Sequence, residues 1–110
     1  MIVTLQSAAT TTATGTGVGM ATNNRISESL RTFQSTGTTS AGSGAATVLI
    51  EVSNDNVVWL TLGTITLTLG TSATSDGFAS NAPWGNVRAR VSSISGTNAS
   101  VTTTMGLISK

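Results

Sequence analysis

The chain has no histidine, cysteine or tyrosine, so the commonest general bases, metal ligands and activated nucleophiles are missing. Its reactive inventory is four carboxylates: Glu28, Glu51, Asp55 and Asp76. Glycoside hydrolysis needs two carboxyls about 5 to 9 Å apart, and Asp55 with Asp76 is the pair to test. Both stand in turn sequences, where a short Asx side chain serves the backbone. Asn54, Asp55, Asn56 and Asp76 also offer oxygens to calcium, but their spacing matches no calcium loop, and Asn-Asp-Asn between two strands reads as a hairpin turn. The glycines of Gly15-Thr16-Gly17-Val18-Gly19 lack the strand before and the helix after that a phosphate loop requires. The expectation is a protein that is not an enzyme, with no catalytic, cofactor-binding or metal-binding residue.

Function then rests on side chains that bind. Trp59 and Trp84 could stack on sugar rings if exposed, or anchor the core or an interface. Trp59 lies between Val58 and Leu60, which favours packing; Trp84 follows Pro83, and both readings stay open. Arg88 and Arg90 project from one face of a strand, placed to pair with Glu51, with an acidic neighbouring subunit or with solvent.

The element that must position these groups is the hairpin Ala45 to Gly63. Val48, Ile50 and Val52 alternate with Thr47, Leu49, Glu51 and Ser53, the period of a strand that buries one face. Asn54 to Asn56 reverse the chain, and Val57 to Leu60 start the return strand. Further on, Ile65, Leu67 and Leu69 alternate with Thr66 and Thr68, and Val87, Ala89 and Val91 with Arg88, Arg90 and Ser92. Gly37 to Gly44 and Gly70 to Asp76 read as polar loops, and Ser95 to Asn98 as a turn leading to a last strand, Ala99 to Leu107. Arg25 to Ser35 reads as a strand, although Ile26, Leu30 and Phe33 also fit a helical stripe, because Ser27, Ser29 and Thr32 are poor helix-interior residues.

About six strands from Ile26 onward, with one to three before it, predict an all-β fold: a two-layer antiparallel β-sandwich, jelly-roll-like, with an extended N-terminal arm. Its core would hold Val48, Ile50, Val52, Leu60, Ile65, Leu67, Val87 and Val91. Residues 1–24 are expected as an arm or as small-residue edge strands, and residues 25–110 as the sandwich domain.

Composition excludes several partners. More than half of the 110 residues are Thr, Ser, Gly or Ala, charged residues are 8%, and net charge is +1. Five basic residues spread over the chain give little to exchange for phosphate counterions, so nucleic acid is not an expected partner. No run approaches the roughly 20 apolar residues that span a bilayer, and Met1 to Gln6 lacks the features of a signal peptide. So few surface charges protect a free monomer poorly against association, which points to life in an assembly.

The succession TVLIEVSNDNVVWLTLGTITL, SDGF and NAPWGNVRARVSSISGTNASVTTTMG resembles small β-sandwich virion structural proteins of tailed bacteriophages. The features that carry it are Ser53 to Asp55, Trp59, Leu62 to Gly63, and Val87 to Val91, within a resemblance running from Ile26 to Gly106. It implies a capsid decoration or cement protein on the outer capsid surface of the virion, a homotrimer that binds the major capsid protein and stabilises contacts between its copies. Contacts would be made by Ile2, Val3 and Leu5 of the arm, adding a strand to a neighbouring sheet edge, and by the surface around Trp84, Arg88 and Arg90. The alternative is a carbohydrate-binding adhesion module of a head fibre or tail, which takes a host surface glycan and needs Trp84 or Trp59 exposed beside Asn81 and Asn86.

Overall fold

The computed structural model describes residues 2–15, 18–19, 30–80 and 84–108. Nine strands are formed among them: β1 (Ile2–Ala9), β2 (Ala13–Thr14), β3 (Val18–Gly19), β4 (Leu30–Thr38), β5 (Ala41–Ser53), β6 (Leu60–Leu69), β7 (Thr74–Ser80), β8 (Asn86–Thr97) and β9 (Ser100–Ile108). One sheet has the order β1-β9-β4-β7. The other has β2-β8-β5-β6, with β3 also on β8. All pairings are antiparallel, so the fold is an all-β, two-layer antiparallel sandwich.

The two sheets repeat one order because each length of chain crosses from one to the other. Strands β4 and β5 are joined over Thr39 and Ser40, and β8 and β9 over Asn98 and Ala99. These two lengths stay paired on both sides of the crossing, from Leu30↔Ile108 through Thr38↔Ser100 to Ala41↔Thr97 and Ser53↔Asn86. The sandwich is therefore one four-ply antiparallel ribbon doubled over. Its corner needs backbone shapes that ordinary strands do not supply. Gly96 has φ +120°, Asn98 has φ 49°, and the register slips between Ala41 and Ala45. Thr39 closes the corner by donating its amide to Gly70 O at 2.9 Å and its hydroxyl to Gly42 O at 2.7 Å.

The expected loop Gly37 to Gly44 is thus mostly strand, bent rather than interrupted. The expected loop Gly70 to Asp76 likewise gives way to β7 from Thr74, which pairs in unbroken register with β4. Residues 25–29 of the expected strand Arg25 to Ser35 lie outside the described residues, and its remainder is β4.

Period-2 alternation sets the core. Val48, Ile50 and Val52 of β5 meet Ile65, Leu67 and Leu69 of β6 and Val87, Ala89 and Val91 of β8, all buried. Each large aliphatic side chain buried this way stabilises the fold by about 1.5–3 kcal/mol. Leu5, Phe33, Val101 and Met105 close the core from the other sheet, and the Phe33 and Phe78 rings lie 5.1 Å apart. Leu60, expected inside, is 54% exposed. It is the first residue of β6, where no second layer covers it.

The amino-terminal segment takes edge positions in both sheets. β1 pairs with β9, and β2 and β3 with β8. Leu5 is 5% exposed and belongs to the core; its side chain is spoken for by folding, which leaves exposed Ile2 for an outside contact.

Candidate functional site

Opposite the corner, the strand ends bring together the Asn54–Trp59 turn, Trp84 and the first residues of β4. The turn is built around two side chains. Ser53 Oγ accepts the amides of Asp55 at 3.2 Å and Asn56 at 2.9 Å and donates to Asp55 Oδ1 at 2.9 Å. Asp55 Oδ1 also accepts the amides of Val57 and Val58, each at 2.9 Å. Asn56 takes φ 61°, a left-handed shape that Asn tolerates. These amide bonds, Val58 first and then Val57, with Ser53, hold the Asp55 carboxyl below the usual carboxylate range. Asn86 Nδ2 adds donations to Ser53 O and Asn54 O at 3.4 Å.

Beyond exposed Asn54, Asp55 and Asn56, the turn presents two apolar side chains. Val57 is 76% exposed and Val58 64%, with Leu60 beside them. Asp55 thus serves as a turn lock, away from Asp76, which sits in β7 and accepts the amide of Gly77 at 2.8 Å.

The outer face of the β5–β8 pair holds the charged cluster. Glu51 stands opposite Arg88 in the register and Leu49 opposite Arg90. Arg88 Nε reaches Glu51 Oε1 at 2.7 Å and Arg90 Nε reaches Oε2 at 3.2 Å. The Arg88 guanidinium carbon lies 4.2 Å from the Trp59 ring centroid, a cation–π contact. Arg90 also lines an open groove of about 360 Å³ with Thr12, Thr14, Val91 and Ser92.

On the other sheet, Arg31 points inward. It is 1% exposed and donates from Nη1 to Trp84 O at 2.8 Å. Burial pushes its guanidinium below its ordinary value. Trp84 itself is half-buried and packs against the core.

The structure therefore joins Arg88 and Arg90 through Glu51 and separates them from Val3 and Leu5, which lie on the opposite sheet against the core. Ile2 is 75% exposed at the strand-end side. Trp59 has one ring face covered by Arg88, and Asn81 lies outside the described residues. Val57, Val58 and Arg31 were not singled out in the sequence. Two adjacent β-branched residues after an Asx turn cannot both face inward in a period-2 strand, which was the available signal for the valines. Among the described residues no three His, Cys, Asp or Glu side chains gather to hold a metal ion.

No protein-family model matches the chain, and no curated protein matches it. Among solved structures it is similar to PBSX exported protein XepA, with a TM-score of 0.62 and 14% identity over 100% of this chain. The chain spans 37% of the length of that one. At this identity the likeness is one of fold.

Proposed function

We propose that this chain is a structural protein of a tailed-phage virion, a decoration or cement protein that binds the outer capsid surface and holds neighbouring major capsid proteins together. One observation carries the reading: a turn locked by Ser53 and Asp55 holds Val57 and Val58 out in water beside Leu60. Exposed aliphatic side chains grouped on a rigid mount fit a docking surface better than a free one. The fold likeness to PBSX exported protein XepA fits the sandwich such a role needs, and a chain with only 8% charged residues suits work in an assembly.

The mechanism is multivalent. As a homotrimer the protein sets three weak turn contacts on one particle, and each bound subunit raises the effective concentration of the others. Among the described residues β1 is the end strand of its sheet, and its start at Ile2 offers backbone to a strand of the neighbour. Deleting the whole segment would remove Leu5 from the core, so the edge is better tested by Thr4→Pro.

The decisive variant is Val57→Ser with Val58→Ser, added to particles that lack the protein. Binding should weaken at least about tenfold while the melting temperature holds, since both side chains are exposed. Unchanged binding would overturn the reading.

A further inference from the structure

Arg31 breaks a rule that the other described residues keep. Buried polar groups are hydrogen-bonded, and a buried cation is paired. Arg31 is 1% exposed, yet its Nε and Nη2 atoms are buried without a hydrogen-bond partner among the described residues. Only Nη1 is used, on Trp84 O. An arginine does not escape this by losing its proton.

The unused atoms define a shape. Nε and Nη2 form one side of the planar guanidinium, two parallel N–H donors that match the two oxygens of a carboxylate. Nη1 on the other side is fixed by Trp84, so the empty side is pre-oriented. The acids among the described residues are committed elsewhere. Glu51 is held by Arg88 and Arg90, Asp55 by its turn, and Asp76 by Gly77.

We propose that the Nε/Nη2 side of Arg31 is a carboxylate-binding site, filled by an acidic side chain of a partner protein docking at the strand-end side of the sandwich. Arg31 is the second residue of β4 and pairs with Ser80, the last residue of β7, and with Leu107 of β9. Arg31 thus lies at the strand-end side of the sandwich and not at its centre. Trp84 sets the fork, and the exposed turn of Val57 and Val58 lies at the same end of the strands. The carboxylate chemistry stands on the isolated chain; only its assignment to a partner rests on the proposed structural role.

Acetate is the probe. The full chain, labelled with nitrogen-15, is titrated with sodium acetate against sodium chloride of equal ionic strength, and the arginine Nε–H resonances are followed. One resonance, absent in Arg31→Met, should move with acetate, saturate, and ignore chloride. If Arg31→Met does not fold, Arg31→Lys provides the assignment instead. No acetate-specific movement in the wild type overturns the site. Movement that appears only in Glu28→Gln overturns the partner assignment, because the chain's own carboxylate then fills the fork. In the particle-binding assay Arg31→Met should weaken attachment about tenfold, the worth of one charge-assisted bond pair. Loss of the acetate response with particle binding intact sinks the site alone, whereas a normal acetate response with no particle binding sinks the virion role alone.

Discussion

Two charged places in this small sandwich are treated in opposite ways. On the outer face, Glu51 with a side chain 8% exposed is met by two arginines, one of them stacked on the Trp59 ring. On the inner face of the other sheet, Arg31 has one bond and two buried donors with nothing on them. The first arrangement explains itself by folding: a carboxylate that must lie against the sheet is surrounded by what it needs. The second is explained only by something the chain does not supply among its described residues. A satisfied charge cluster is thus a poor guide to function here, and an unsatisfied one is the better guide.

Substitutions can break this contrast. Glu51→Ala leaves two guanidinium groups facing each other across the β5–β8 pair. Full burial would make that cost about 3–5 kcal/mol. Arg88 and Arg90 keep 22% and 38% side-chain exposure, and water screens them, so the loss should be about 2 kcal/mol by chemical denaturation. Arg31→Met should do the reverse. It removes an unanswered charge, keeps the volume, and gives up one hydrogen bond, so the isolated chain should gain about 1 kcal/mol. A loss comparable to that of Glu51→Ala would mean the two places are alike and that Arg31 is structural.

Smaller effects sharpen the outer face. Trp59→Ala removes the ring over Arg88 and should cost about 0.5–1 kcal/mol, with the cost shrinking in the Arg88→Met background. Asp55 gives a pH signature. Its folded carboxyl titrates below the unfolded one, so its contribution is complete above the unfolded value near 4 and is lost as pH falls through the lowered folded value. Asp55→Asn should lower the melting temperature at neutral pH and flatten its acid limb, so that variant and wild type converge as pH falls. An unchanged acid limb would remove Asp55 as the turn lock.

Much of the fold was legible because small β domains bury side chains with strict alternation. Val48-Ile50-Val52, Ile65-Leu67-Leu69 and Val87-Ala89-Val91 each declare an inner face, and Asn54 to Asn56 declare a turn. Strand β7 was illegible for a physical reason. At Gly77 an added Cβ would lie 2.1 Å from Phe33 O, so a glycine just after the expected loop is what lets the edge strand close on β4. The corner misleads in the same way, since small residues that suggest a loop are there to let paired strands bend. Arg31 was hidden by its type: Phe33 and Ser35 fix the inward parity of β4, and the same parity carries Arg31 inside, where a charge is not expected. Val57 and Val58 were assigned to a strand by propensity, and the Asp55 side chain instead holds them in the turn.

The central claim, that this is a capsid-binding structural protein, is tested most directly by counting. If the proposed role holds, the copy number of this chain in purified virions that carry it should be of the same order as that of the major capsid protein, as a surface decoration requires. A handful of copies per particle, or none, would contradict the account.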